Sequence, residues 1–432
     1  MNRIFKVQYR SLKTLNTLIP WTKQKNIYQK QIINANGSYL YTKNKRILDF
    51  TSGAMVVNLG HNNKYIQSAF IDNIKNGIAY APSNFSTKQR EKLSERLLQE
   101  ANMENGKVLY CNAGADANEM ASFITKEYHF HTNLNTNKNR ILSFKNSFHG
   151  GSTIGASLLS GDPRRIQKQK FYNLPLEPIL QNPCLEDNGN SSLKQIETIL
   201  NDSNSISALL IEGSSGSAGC ILYPEKYLQK LKKMCDERNI LVICDEVMSG
   251  FGRTGDFFAH FKQNMKPDII TCAKAITCGY IPLGAVIINE KVSSVFDENP
   301  VMCGLTYSGH PLACLVANKC MDLYLDNDKQ VIINVNHKAT IMRTKCLELT
   351  DKYSFINSYR NNGLLGCFDM NLDETELGVV SDLLLENGVY CLRIRNNIFT
   401  APPLTINDSN LCEGIDQIDY IFQIVQTLED LK

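Results

Sequence analysis

Between Lys107 and Ile288, short apolar runs alternate with stretches of helical periodicity, and this alternation restricts the fold more than any other feature of the chain. Lys107–Tyr110, Arg140–Phe144, Ser207–Glu212, Ile240–Cys244, Asp268–Cys272 and Leu283–Ile288 read as strands. Asn118–His129 and Tyr227–Arg238 carry apolar residues at helical spacing. A strand that is apolar on both faces has to be covered on both. The pattern therefore predicts an α/β fold, with a large, mostly parallel sheet between layers of helices.

The flanks read differently. Ser38–Phe50 forms two short strands around the polar turn Thr42–Lys45, and Lys64–Asn76 and Lys88–Glu104 are helical, with Ser86 and Thr87 as cap candidates. Ala317–Leu325 is a helix, and beyond it the chain reads as a smaller α+β unit ending in a helix over Gly414–Leu431. The polar, Asn- and Gly-containing stretch Asn182–Ser203 reads as a surface excursion. The expected organisation is an arm over 1–20, a segment over 21–60 that joins the small domain, a large domain over 61–324 and a small domain over 325–432.

Charge and composition narrow the function. Lys and Arg total 46 against 43 Asp and Glu, a net charge of +3, so there is no cationic excess of the kind that nucleic acid recruits. No run approaches the ~20 apolar residues of a bilayer span, so no membrane partner is expected. None of the 14 cysteines forms a C-x-x-C pair, which argues for free thiols in a reducing compartment and against a metal centre. No acidic residue precedes Asp49, while Arg3, Lys6, Arg10 and Lys13 oppose Phe5, Leu12, Leu15 and Ile19 on a helical wheel. This basic amphipathic segment fits a mitochondrial presequence, the alternative being an ordinary amino-terminal helix of a cytoplasmic protein.

In open parallel sheets, ligands sit at the carboxyl ends of the strands. There the sequence places Asn112-Ala-Gly-Ala-Asp116, Glu212, Asp245 and Lys274. An acid directly after an apolar strand is half-sheltered and needs a partner. A lysine in the same setting loses basicity, the condition for nucleophilic amine chemistry. A glycine turn opening a helix presents free N–H groups to an anion. Each alone has a bland reading as a cap, a surface lysine or a loop. Together they suit a cofactor with a phosphate, an aldehyde and a basic ring nitrogen, which is the chemistry of pyridoxal phosphate.

At this point the chain resembles a known family. Asp245-Glu-Val-Met-Ser-Gly-Phe-Gly-Arg-Thr-Gly255, Pro267-Asp-Ile-Ile-Thr-Cys-Ala-Lys274, Gly279-Tyr-Ile-Pro-Leu-Gly284, Thr306-Tyr-Ser-Gly-His-Pro311 and Ala401-Pro-Pro-Leu-Thr405 resemble, in order, the signatures of class III pyridoxal-phosphate aminotransferases. These share the fold-type-I architecture, a large sheet domain with a small domain drawn from both termini. Ala81-Pro-Ser-Asn-Phe-Ser86, Gly161-Asp-Pro-Arg-Arg165 and Gly304-Leu-Thr-Tyr-Ser308 are most similar to the taurine and ω-amino-acid branch.

The resemblance implies roles. Lys274 condenses with the cofactor aldehyde and then moves the proton; Asp245 holds the protonated ring nitrogen. Val247 and Phe148 cover the two ring faces, Gly114 and Ala115 offer N–H groups to the phosphate, and Glu212 is the family acid near the cofactor. Thr306 reaches the phosphate of a second subunit, which implies a homodimer with shared sites. Arg393 and Arg395 stand near the family's substrate arginine and, on a strand, would share one face to hold an acid group. His149 and Arg253 carry structural roles, and Met55 and Tyr80 are candidate pocket walls.

There are departures too. Met248 stands where Gln is frequent, and Ala115 and Asp116 where Ser or Thr and Glu are. Ser217 stands where the ornithine and 4-aminobutyrate branches place a glutamate that masks a substrate arginine, and Phe399 about where those branches carry an arginine. The expected activity is ping-pong transfer of the amino group of an ω-amino acid, of the taurine or β-alanine type, to pyruvate or 2-oxoglutarate. Rival readings are a 4-aminobutyrate or other class III transaminase, a lyase or aminomutase on the same scaffold, and a non-catalytic relative.

Overall fold

A computed structural model describes residues 16–21, 31–82, 84–132, 137–202 and 204–430. Most of the basic amino-terminal segment, with its expected presequence, lies outside the described residues. The first three strands, β1 (Asn34–Asn36), β2 (Tyr39–Tyr41) and β3 (Arg46–Asp49), form an antiparallel meander.

Seven strands make the central sheet: β4 (Lys107–Cys111), β5 (Arg140–Phe144), β6 (Ile179–Leu180), β7 (Ile206–Glu212), β8 (Leu241–Asp245), β9 (Ile269–Cys272) and β10 (Gly284–Ile288). Their spatial order is β4-β10-β9-β8-β7-β5-β6, and β10 alone runs against its neighbours. Every residue of β7, β8, β9 and β10 is buried, which is why these segments read as unbroken apolar runs rather than alternating ones.

The carboxyl-terminal part supplies β11 (Ile356–Asn362), β12 (Leu365–Met370), β13 (Val389–Tyr390), β14 (Arg393–Ile394) and β15 (Asn397–Thr400). β11, β12, β15 and β14 form an antiparallel sheet, whereas β13 pairs in parallel with β3, so the small unit is built from both ends of the chain. The helix Pro311–Lys352 links the two parts. It opens on proline, which suits a first turn whose N–H groups have no partner, and its backbone leaves helical geometry at Asp326–Lys329. Arg253, fully buried, ties the parts together by donating to the carbonyls of Leu364 and Pro402, the hydroxyl of Ser52 and the side chain of Asn58.

The helix Lys64–Asn76 has the boundaries its periodicity implies, capped by the Asn63 side chain and ended by Gly77 at φ +67°. Within Asn182–Ser203 the surface excursion covers only the stretch before Asn190, where Cys184, Leu185, Glu186 and Asn188 are exposed. Asn190–Asn201 is a helix that buries Ser192, Leu193, Ile196 and Leu200. Three apolar residues at spacings of three and four are enough to anchor it, and the polar composition around them hides that stripe.

Candidate active site

The exits of β4, β7, β8 and β9 surround one cavity of about 390 Å³, within the ~300–1,000 Å³ range of small-molecule sites. Strand register explains the convergence. Glu212 stands opposite Asp245 and Asp245 opposite Thr271, so three polar side chains share one row and one face of the sheet. The helix Gly114–His131 covers that face and points its amino terminus at the cavity, which Asn112, Ala113, Gly114 and Ala115 line. No side chain caps that helix, so its first N–H groups and the positive end of its dipole form a ready anion site.

Asp245 is buried and heavily engaged. Its Oδ2 accepts from His149 Nδ1 and from Asn118 Nδ2, each at 2.7 Å, and its Oδ1 accepts from the Val247 N–H at 2.9 Å. Glu212 accepts from the backbone N–H groups of Phe148 (3.1 Å) and Ser217 (3.0 Å). Burial raises its carboxyl above the ordinary range; Asp245 adds to the rise, and His149 opposes it. Glu212 thus fixes the backbone of the aromatic residue on the cavity wall.

Lys274 follows β9 at φ +44°, a left-handed conformation that costs a residue with a β-carbon about 1–2 kcal/mol. Such strain is typical of functional positions. It sits half-buried on the cavity wall, and burial lowers its amine below the ordinary value, with Asp245 and Glu212 limiting the fall. Gly114 is required by close approach, since a Cβ there would lie 2.9 Å from Val247 Cγ1. Gly150, at φ +143°, would set a Cβ 2.7 Å from that of Ala115.

These residues fit pyridoxal phosphate. An uncapped helix start suits the phosphate, Phe148 and Val247 are the apolar wall groups for the ring faces, Asp245 is a buried carboxylate for the ring nitrogen, and Lys274 is an amine of depressed basicity. Bound there, the group supplies the aldehyde and the electron-withdrawing ring of transamination chemistry.

The remaining candidates are placed elsewhere. Thr306 is exposed and does not line this cavity. Arg393 and Arg395 do not share a face, because β14 stops at Ile394 and Arg395 occupies a hairpin turn at φ +52°. Arg393 donates to the Glu374 carbonyl, away from the cavity. Arg395 bonds Asp162 (3.0 Å) and the carbonyls of Asn146 (3.0 Å) and Ser217 (3.5 Å), which puts it directly behind the cavity wall. Met55 packs with Cys220, Leu365 and Phe399, and Tyr80 is exposed against Tyr307. His149, read as structural, is bonded to Asp245 itself.

Sequence reasoning missed Asn118 and Thr271. The signal was available: Asn118 falls on the inward stripe of its helix with Ala121, Ser122 and Thr125. Cys244, Glu246 and His260 lie close enough to suggest a metal centre. They form a hydrogen-bonded core knot instead, with Glu246 accepting from the His260 N–H and Nδ1 and from the Ser249 hydroxyl.

The sheet, the helix start and the lysine–carboxylate pair define a fold-type-I pyridoxal-phosphate enzyme. The profile of the aminotransferase class-III family matches residues 22–422. Acetylornithine aminotransferase of Neisseria meningitidis is 30% identical over 395 residues, covering 89% of this chain and 92% of that protein. Succinylornithine transaminase of Salmonella newport is 29% identical, covering 91% and 92%. Taurine:2-oxoglutarate aminotransferase of Bifidobacterium kashiwanohense, solved with pyridoxal phosphate and glutamate, superposes with a TM-score of 0.88 at 29% identity, covering 95% and 96%. An amine transaminase of an uncultivated Pseudomonas species in its cofactor-bound form gives 0.89 at 25% identity, covering 96% and 100%. The chain belongs to the class III aminotransferases, and pyridoxal phosphate is its cofactor.

Proposed function

We propose that this aminotransferase takes an ω-amino acid with an acidic far end, of the taurine or β-alanine type, and passes its amino group to 2-oxoglutarate or pyruvate. The observation that carries the reading is a cationic rim beside the cofactor-facing Phe148. The Arg164 guanidinium lies 5.0 Å from the Phe148 ring and 4.3 Å from the Trp21 ring. A second cavity of about 180 Å³ shares Phe148, Gly150 and Gly151 with the first and is lined by Arg164, Arg165 and Lys168. Asp162 pairs with both Arg164 and Arg395; burial works to raise its carboxyl, and the two guanidinium groups overcome that and hold it below its usual range. An arriving carboxylate or sulfonate finds the Arg164 guanidinium exposed at the rim and already oriented by Asp162.

Within this reading, Lys274 moves the proton at the amino-bearing carbon, Asp245 keeps the ring nitrogen protonated, and Phe148 and Val247 hold the ring flat between them. Arg164 takes the acid end, Arg395 supports it from behind the wall through their shared partner Asp162, and Arg393 serves the small unit. A homodimer belongs to the same proposal. Thr306 lies among exposed Met302, Leu305 and Tyr307, an apolar surface that a second copy would cover while delivering Thr306 to the neighbouring phosphate.

A second reading, an acylated ornithine as donor, is favoured by the two relatives just described. Ser217, standing where the ornithine branch carries a glutamate, weighs against it. A donor panel of taurine, β-alanine, 4-aminobutyrate and acetylornithine against both keto acids tests the proposal. The expected result is the highest kcat/KM with taurine or β-alanine; a preference for acetylornithine would replace the first reading by the second. Light scattering of the holoenzyme at twice the chain mass supports the dimer, and a monomer that is fully active removes it.

A further inference from the structure

We infer that Asn118, locked in orientation by Thr271, positions the Asp245 carboxylate so that Oδ1 is the atom offered to the cofactor ring. Both amide protons of Asn118 are committed, one to Asp245 Oδ2 at 2.7 Å and one to the His149 carbonyl at 2.9 Å. Its Oδ1 accepts from the Thr271 hydroxyl at 2.6 Å. All three groups are buried, with Asn118 itself 1% exposed and Thr271 fully enclosed. Turning the amide over would set its oxygen against a carboxylate oxygen and a carbonyl, three acceptors with no proton between them. One orientation survives, and the Thr271 hydroxyl marks it.

The arrangement divides the labour of the carboxylate. Oδ2 carries two strong donors, Asn118 Nδ2 and His149 Nδ1, whereas Oδ1 carries only the Val247 N–H and keeps an acceptor site open. Asn118 also grips the His149 backbone, so it fixes both sides of the His149–Asp245 contact. Thr271 stands opposite Asp245 on the neighbouring strand, which makes the relay a product of register. Other charged groups near Asp245 are Glu212 and Lys274, and neither donates to Oδ2. Asn118 is therefore a positioning residue: it acts on the reaction through Asp245.

The inference rests on the cavity being the pyridoxal-phosphate site, and the test separates the two. Holoenzyme of the parent, Asn118→Ala, Thr271→Val, Thr271→Ser, Asp245→Asn and the Asp245→Asn/Asn118→Ala pair is titrated with pH by cofactor absorbance and assayed for kcat and KM. Thermal melting without cofactor is recorded alongside. Supporting residues of this kind are worth about 10–100-fold, so Asn118→Ala should lower kcat about that much while KM changes little. The absorbance midpoint should move upward, because a ring nitrogen that holds its proton less firmly withdraws fewer electrons from the Lys274 nitrogen. Thr271→Val should show the same signature more weakly, and Thr271→Ser should restore it. The double variant should be no worse than Asp245→Asn. An unmoved midpoint with kcat within about twofold of the parent, or losses that multiply in the double variant, overturns the inference. If Asn118→Ala melts below the assay temperature, the Val and Ser variants at position 271 decide the matter. A parent protein that takes up no pyridoxal phosphate instead overturns the site assignment.

Discussion

Two sides of the same cavity are built in different ways. On the reacting side, Glu212, Asp245 and Thr271 stand in one row across three adjacent buried strands, and Lys274 follows two residues after the last of them. On the rim, Arg164 comes from the start of a short helix, Arg395 from a hairpin turn and Trp21 from the amino-terminal segment. The reacting side is positioned by the sheet, so its geometry is set once the sheet forms. The rim is positioned by loops and by ion pairing to one carboxylate, Asp162. On the proposed function, chemistry is placed on the rigid part and selectivity on the part that can be rebuilt without disturbing it.

Substitutions should expose that contrast. Lys274→Ala should lower turnover by at least ~10³-fold, the scale seen when a group at the reacting atoms is removed, with the melting temperature little changed. Borohydride followed by peptide mass measurement should find the cofactor fixed to Lys274 in the parent and to no lysine in the variant. Asp245→Asn should cost about 10²–10³-fold in kcat, because it removes the charge aimed at the ring and turns an amide N–H toward the donors of His149 or Asn118. On the rim, Arg164→Ala or Arg395→Ala should raise KM for an acidic donor by about 10–100-fold, the worth of a hydrogen bond to a charged group, and leave an uncharged amine donor within about threefold. If the rim variants lowered kcat for every donor alike, the division between the two sides would fail.

The same contrast explains what could be read from the chain. Apolar strands ending in Glu212, Asp245 and Cys272 are visible as residue patterns because burial on both faces leaves no other composition possible. Their exits locate the site directly. The side of Arg395 was not legible, since it depends on whether β14 runs two residues or four, and the left-handed backbone at Arg395 decides that. The period-two argument that put Arg393 and Arg395 together holds only inside a strand. The Asn118 relay depends on helix-to-sheet packing across more than a hundred residues, which a linear pattern shows only as one polar residue on an inward stripe.

Lys274 offers a pH test of the reacting side. Its amine has a folded-state pKa below 10.5, with burial as the main cause. The neutral, nucleophilic form therefore persists to lower pH than in a solvent-exposed lysine. The rate at which pyridoxal phosphate loads onto the cofactor-free protein, followed by absorbance, should remain above half its maximum as pH drops through 10.5. It should fall only when pH passes the depressed folded-state pKa. A loading rate that halves at the free-lysine value would mean that the cavity does not desolvate this amine.

The smallest effect addresses how closely the two halves of the reacting side must fit. Gly114 belongs to the helix start and Val247 to the segment after β8, and a methyl group on Gly114 would lie 2.9 Å and 3.1 Å from the two Val247 methyls. Neither partner can yield easily: Val247 is held by its N–H bond to Asp245, and the helix behind Gly114 is packed on five strands of the sheet. Gly114→Ala should therefore push Val247 toward the ring site and weaken cofactor affinity by about 3–10-fold, consistent with the ~1 kcal/mol or more that overpacking costs. Val247→Ala removes the two opposing methyl groups, so the double variant should bind pyridoxal phosphate more tightly than the product of the single effects. Contacting residues couple in this way, whereas distant ones add. Purely multiplicative losses, read by cofactor fluorescence, would show that the approach of Val247 does not limit the site at Gly114. The phosphate end of the site would then be set by the helix start alone.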